Sequence, residues 1–427
     1  MFPTEALSIR SFKNLFIGQA VSQFGDAFYY VIFMFMVRQI TGSTAMVGFV
    51  GAAETLPFLL VGGYAGVLAD RLDRRKIMLI SDLSSAACLI AFGILIYLDA
   101  SPPAWTMVVT PFLMSCVRVF FMPAKSAAIP RLVPDNMLMK ANALSNLAQT
   151  FMPLIGLALS ASVMGALYAA SKTWFFVTAV LVNTCSFLFS AAYIWLLPKL
   201  VPERHDEDKH PLQEFRQGLG YIKRHGVLRV YVFVSLFMNL MISPFFVVYV
   251  EANKQWYGGT PQILCVMEMS FFVGLVISSM FVGRFNIRRA GLGYSYSLGT
   301  VGLAVAAMAF CKTIWLYSIF NIIAGLAVPF CDIPLTTYIQ TEVEDSLMGR
   351  VNSVLNMVRM GVMPIGMMLG GWMILKIGLS GAYLVMGFGM TAASLVALAS
   401  PAFRGATIKV QAPAEAVVES EDALTLV

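Results

Sequence analysis

Charge is scarce in this chain. Of its 427 residues only 12% are charged and 59% are hydrophobic, whereas soluble domains average roughly 25% charged residues. So little charge cannot cover a water-soluble globule of this length, which points to lipid along the sides and water at the two ends. Histidine is scarcer still. His205, His210 and His225 all fall in one polar stretch, which excludes a histidine proton relay inside the membrane. The six cysteines (Cys88, Cys116, Cys185, Cys265, Cys311, Cys331) stand alone in apolar segments; without Cys-x-x-Cys or metal-ligand spacing they read as small apolar packing residues, and no metal site is expected. No HExxH, GxSxG or phosphate loop is present, so no enzymatic activity and no cofactor is expected. Residues 1–14 contain no apolar core followed by a small-residue cleavage site, and no cleaved signal peptide is read there.

What the chain has in abundance is apolar length. A membrane span needs about 20 apolar residues, and twelve stretches qualify, roughly 15–38, 44–68, 77–98, 105–123, 141–168, 173–197, 228–250, 262–283, 291–311, 314–338, 351–375 and 380–402. An all-α polytopic membrane protein of twelve helices is expected, in two six-helix bundles (residues 1–197 and 227–403). A polar cytoplasmic linker (198–226) joins them, and an acidic, Ala/Val-rich tail (404–427) is expected to be disordered. The net charge of +6 is no sign of nucleic acid. On alternating topology, 22 of the 29 Lys and Arg residues share the face of the N-terminus, five (Arg38, Lys172, Lys254, Lys312, Lys376) lie opposite, and Arg118 and Arg359 fall within helices. The positive-inside rule then places both termini in the cytoplasm.

The two halves echo each other. Asn142-Ala143-Leu144-Ser145-Asn146 matches Asn352-Ser353-Val354-Leu355-Asn356 at an offset of 210, Met152-Pro153 matches Met363-Pro364 at 211, and Arg71, Arg74 and Arg75 are echoed about 213 residues on by Arg284, Arg288 and Arg289. Paired halves about a central pathway are a transporter plan.

The loop after the second span reads Gly66-Val67-Leu68-Ala69-Asp70-Arg71-Leu72-Asp73-Arg74-Arg75-Lys76. It resembles the signature of the major facilitator superfamily, with Asp73 at the position of the second glycine. Gly66 permits close helix approach. Asp70 would face the positive end of helix 11, near Gly349 to Val351, and latch the halves together. Pro123-Ala124-Lys125-Ser126-Ala127-Ala128-Ile129-Pro130-Arg131-Leu132-Val133-Pro134, Lys140-Ala141-Asn142-Ala143-Leu144 and Gln19-Ala20-Val21-Ser22-Gln23-Phe24-Gly25-Asp26 resemble the branch holding macrolide-efflux proteins, the enterobactin exporter and lysophospholipid transporters. The resemblance runs to about residue 403 and implies a bacterial inner-membrane exporter. In helix 5, Pro153 and Gly156 of the antiporter motif are present, with Met152 where a glycine precedes the proline.

An ionisable group deep in a helix costs about 2.5–3.5 kcal/mol even on a mild scale, so each one asks for a reason. Asp26 and Glu54 fall near the midplane of helices 1 and 2, with Ser22, Tyr29 and Tyr30 on the face of Asp26 and Pro57 and Phe58 beside Glu54. Two carboxylates at that depth repel each other and are poorly solvated, conditions under which a proton is taken up and released near neutral pH; an ion pair with Arg118 is the structural alternative. Arg118, Tyr30, Glu268 and Asn239 are further pathway candidates, with Asn321 as a possible hydrogen-bonding group. Gly66, Asp70, Arg71, Arg74, Arg75 and the neighbouring pair Asp332 and Arg359 are candidates for a conformational gate.

The resulting expectation is a secondary transporter using the proton gradient to export an amphipathic small molecule (a drug, macrolide or siderophore) by alternating access. The alternatives are a lysophospholipid flippase or solute importer of the same fold and, in another class, a membrane substrate sensor. A monomer is expected, with the bilayer and a small-molecule substrate as its partners.

Overall fold

A computed structural model describes residues 4–98, 102–201, 211–282, 285 and 287–408. Within its helices the side chains of residues 63, 64, 66, 67, 69–71, 135, 136, 139, 143, 161–166, 211–215, 345, 346, 349 and 353 lie outside that description. The expected contacts of Gly66, Asp70, Arg71 and Gly349 are therefore outside the described residues.

Apart from one isolated bridge, Arg289 to Thr407, the described regular structure is helical. A short 3-10 helix, Thr4–Ser8, precedes α1 (Arg10–Thr41), α2 (Thr44–Arg71), α3 (Arg74–Leu98), α4 (Ala104–Leu132), α5 (Asp135–Ala170) and α6 (Lys172–Trp195). After these come α7 (Pro211–Arg224), α8 (Gly226–Ile242), α9 (Phe245–Trp256), α10 (Pro261–Phe281), α11 (Ala290–Met308), α12 (Ile314–Glu342), α13 (Asp345–Ala399) and α14 (Pro401–Arg404). Among the described residues ten stretches are long and apolar enough to cross a membrane. One of them spans two expected helices: α13 carries Gly378 at φ 73°, ψ 174°, a backbone that breaks the helical path and that glycine adopts without strain. The 19-residue α11, rich in Gly, Ser and Tyr, is less apolar than those ten. Separating α13 at Gly378 and counting α11 reaches the expected twelve; length and apolarity alone give ten.

Local sequence sets the helix ends. Gly42 at φ 64° closes α1, its N–H bonded to the Arg38 carbonyl, and the Ser43 hydroxyl caps α2 by accepting from the Met46 N–H. α1 and α2 thus reverse direction within two residues. Seventh in the expected order is a broken helix, α8 and α9, interrupted before Pro244, where proline cannot supply its N–H.

Helices α1 to α6 pack among themselves, α3 against α4 and α6, and α1 against α5 and α6; α8 and α10 to α13 do the same. The two groups meet along α2 against α13 and α5 against α10. Large apolar side chains point away from both, Trp315 at 78% and Leu98 at 76% exposure among them, as a lipid-facing surface requires.

The structure adds to the expectations at three places. The polar linker contains the amphipathic helix α7, which packs on α13 with Gly218 against the Arg350 backbone. The tail is docked at its start: Phe403 is fully buried and the Ile408 N–H donates to the Arg288 carbonyl at 2.9 Å, while residues 409–427 lie outside the described residues. Lys125, counted above as a loop cation, is buried inside α4, which continues through Pro123 and Pro130 to Leu132.

Candidate functional site

Asp26 is the seventeenth residue of the 32 in α1, so it sits at mid-helix as expected. Its Oδ2 accepts from Arg118 Nη2 of α4 at 2.6 Å, and its Oδ1 accepts from Asn183 Nδ2 of α6 at 3.4 Å. Ser186 Oγ donates to Asn183 Oδ1 at 3.1 Å, which turns the Asn183 amide toward Asp26. Gly25 makes this approach possible, because a Cβ there would run into Ser186. The ion pair offered above as the alternative for Asp26 is therefore formed. It is not sealed, since the Arg118 and Asp26 side chains are 38% and 22% exposed. The Arg118 guanidinium also lies over the Phe187 ring, 5.9 Å from its centroid. Glu54 of α2 lies within electrostatic range of both Asp26 and Arg118.

Across the boundary between the two helix groups, Tyr30 of α1 packs against Phe246 of α9 with ring centroids 4.9 Å apart and the planes tilted by 54°. Tyr30 is in electrostatic range of Glu54 on its own side and of Glu268 on the other. Glu268 of α10 faces the Tyr249 hydroxyl, which is buried and falls short of hydrogen-bond geometry. Behind Tyr249 the rings of Phe245, Tyr317 and Tyr383 pack together, and the Tyr317 and Tyr383 hydroxyls are 3.0 Å apart. Tyr30, Glu54 and Glu268 thus form an acidic, aromatic patch from both groups, with Asp26 and Arg118 adjoining it.

One end of this patch is closed by residues to which the sequence reading gives no role. Arg38, in the last turn of α1, donates to Glu251 of α9 through Nε to Oε2 at 2.6 Å and Nη2 to Oε1 at 3.1 Å. Thr44 Oγ1 adds a hydrogen bond to Oε2 at 2.7 Å, and Gln255 Nε2 one to Oε1 at 2.8 Å. Arg38 is 9% exposed and Glu251 is 4% exposed. The fork-to-fork geometry gives the pair directional strength. Below it α2 lies directly on α13: a Cβ at Gly48 would strike the Met367 carbonyl, and one at Gly371 would strike Ala45. Ser160 of α5 and Cys265 of α10 touch at 3.1 Å. These bonds and close approaches all lie between the patch and the end of the molecule remote from the N-terminus.

Other candidates are placed differently. Asn239 donates to the Ser235 carbonyl at 2.7 Å, one turn back within α8. Asn321 is fully buried and ties α12 to α10 through the Met267 carbonyl and Ser270 Oγ. Asp332 of α12 and Arg359 of α13 lie within electrostatic range of each other, with Tyr231 and Tyr294 nearby. In the loop after α2, Arg74 Nη1 donates to the Ala127 carbonyl at 2.9 Å. Asp73 Oδ1, at the position of the motif's second glycine, accepts from the Arg75 and Leu200 N–H groups, both at 3.1 Å. It therefore caps α3 and ties that loop to the segment after α6. Two buried groups are new: Asp82 of α3 and Lys125 of α4. Asp82 could have been found by the same signal as Asp26, since it is a carboxylate inside the apolar stretch 77–98, but it carries no role in the sequence reading. No metal-binding group of His, Cys, Asp and Glu is found among the described residues.

The family model of the major facilitator superfamily matches residues 15–363. This chain belongs to that superfamily of transporters and is a multi-pass membrane protein. It is 25% identical over 386 residues to macrolide efflux protein A of Streptococcus pyogenes, covering 88% of this chain and 92% of the relative. With the Enterococcus faecalis protein of that name it shares 26% over 334 residues (76% and 99%), and with the multidrug efflux pump Tap of Mycolicibacterium fortuitum 24% over 396 residues (89% and 93%). Among solved structures, the nucleoside transporter NupG superposes with a TM-score of 0.69 at 11% identity, over 91% of this chain and 98% of that one. A bacterial homologue of the lysosomal transporter Spinster, in an inward-facing, unoccupied conformation, gives 0.62 at 15% identity, over 92% and 95%. These structural likenesses establish the fold.

Proposed function

We propose that this protein is a proton-coupled exporter of an amphipathic small molecule bearing a basic amine, of the macrolide or drug type. The observation that carries the reading is the Tyr30, Glu54 and Glu268 patch, built from both helix groups and closed at one end by Arg38 and Glu251. Glu268 faces a phenol, and no cation opposes it among the described residues. A protonated amine on an apolar body would satisfy both its charge and the surrounding rings. Relatives named for macrolide and multidrug efflux support the same cargo class.

With both termini in the cytoplasm, as the distribution of Lys and Arg favours, the Arg38 and Glu251 end is external and closes the patch on that side. Cargo enters from the cytoplasm or the inner leaflet and settles against Glu54 and Glu268. Protons arriving from outside compete with the cationic cargo for the same carboxylates. Each ligand displaces the other, and the outward step is thereby tied to inward proton movement. Asp26, held by Arg118, is a third carboxylate open to that exchange. No cofactor takes part, and one chain suffices.

The test is transport in inverted membrane vesicles. Asp26→Asn combined with Glu54→Gln should abolish accumulation of a radiolabelled macrolide that collapses with a protonophore in the native protein, while leaving membrane insertion intact. Full, still pH-driven accumulation in the double variant would sink this assignment. A panel including siderophores and lysolipids separates the cargo classes.

A further inference from the structure

We infer that Asp82 of α3 is a further proton-binding site, and that Arg118 passes between Asp26 and Asp82 as protons move through the first helix group. The inference takes its place in transport from the proton coupling proposed above.

Asp82 lies eight residues after Arg74, the first residue of α3, so it is about 12 Å along the helix at 1.5 Å per residue. It is 3% exposed, and its Oδ2 is buried with no hydrogen-bond partner among the described residues. A purely structural buried carboxylate has its oxygens satisfied. Ser190 serves the carboxyl from one side, and leaving the other buried oxygen without a partner is costly, so the site has room for a proton or a mobile cation to complete it.

The register beside it is fixed. Ser81 Oγ donates to the Val117 carbonyl at 3.0 Å, so Asp82 and Arg118, each the next residue, come within electrostatic range. Charged groups in range of Asp82 are Asp26 of α1 and Arg118 of α4; α6 presents the uncharged Ser190, and α2 presents none among the described residues. One guanidinium therefore serves two carboxyl groups. It is bonded to Asp26 in this state, and its side chain is 38% exposed, which leaves it room to swing. Ser190 Oγ in turn accepts from Gln19 Nε2 of α1 at 3.4 Å. Polar atoms thus continue from Asp82 across α6 to α1, on the N-terminal side of Asp26.

The exchange balances. A proton binds the Asp26 carboxylate, and the guanidinium is released. Arg118 then pairs with Asp82, whose own proton departs along the Ser190 and Gln19 side toward the cytoplasm. One proton enters and one leaves, and the net charge of the cluster is unchanged. The reverse sequence resets it.

The experiment is infrared difference spectroscopy of the carboxyl stretch, on the full-length protein in lipid vesicles stepped through pH without cargo. Asp82→Asn should remove one protonated-carboxyl absorption present in the native protein. Asp26→Asn, which frees Arg118, should make that same absorption vanish by ionising Asp82. A carboxyl spectrum unchanged by Asp82→Asn, or an Asp82 absorption indifferent to Asp26→Asn, would overturn the inference. In flux, Asp82→Asn should lower pH-driven macrolide accumulation about tenfold, within the usual range of linkage between sites, and Asp82→Glu should restore it. Native vesicles that show the infrared exchange but no pH-driven flux would support the exchange and overturn the function proposed above.

Discussion

Glu251 accepts from Arg38, Thr44 and Gln255, and almost none of it reaches solvent. A pair so buried is retained only if both partners stay, because removing one leaves the other charged and desolvated, a loss of about 3–5 kcal/mol. Arg38→Ala should therefore open the closed end. The readout is native: Cys265, buried against Ser160 behind that end, should be labelled faster by an impermeant maleimide added from outside, at least tenfold if 1.4 kcal/mol or more of the loss appears as opening. Unchanged labelling of Cys265 in Arg38→Ala would remove this pair as a gate. At the same scale Asp26 and Arg118 behave differently. Their bond is short but partly open, so it can be broken and remade during a cycle, which a sealed pair resists.

At the scale of elements, glycine decides how close the helices come. Gly302 of α11 and Gly387 of α13 face each other with no room for a side chain: a Cβ on Gly302 would lie 2.6 Å from the Gly387 carbonyl oxygen, and one on Gly387 would collide with Ala306. Membrane helices lack a hydrophobic drive to associate and depend on this direct packing. Gly302→Val should cost on the order of 1–3 kcal/mol by overpacking, read as a lower Tm in detergent. Gly220, with nothing within reach of an added Cβ, should tolerate alanine with an unchanged Tm. Capping acts at this scale too. Asp73 holds the start of α3 and Leu200 together, so a residue that departs from the family motif has a local task of its own.

For the whole molecule, Arg38, Thr44 and Glu251 bond the two helix groups together at one end, with the acidic aromatic patch behind them. Whether that end is outside follows from the topology. A reporter fused after Val427 should be active only as a cytoplasmic fusion, and a tag inserted at Gly258, in the turn between α9 and α10, should be reached from outside intact cells. The opposite pattern at both positions would reverse the orientation and with it the direction of export.

Much of this architecture was legible in the sequence. Charge scarcity and apolar runs fixed a helical membrane protein, since a backbone in lipid must satisfy its own hydrogen bonds. The Gly66 to Lys76 loop pointed to the superfamily, and Asp26, Glu54 and Glu268 stood out because charge inside a span demands a reason. These are properties of residues one at a time or of short runs. Partnership is not. The pairing of Asp26 with Arg118 stood in the sequence only as one alternative; that it forms, that Arg38 meets a glutamate 213 positions away, and that Asp82 shares the reach of the same guanidinium are set by helix rotation and crossing, which small contacts such as Ser81 to Val117 decide. The sequence alone determined the solvent, the helices and the family; only the packed bundle decided which charges are paired, which are left partly open, and that Arg38 and Glu251 close one end.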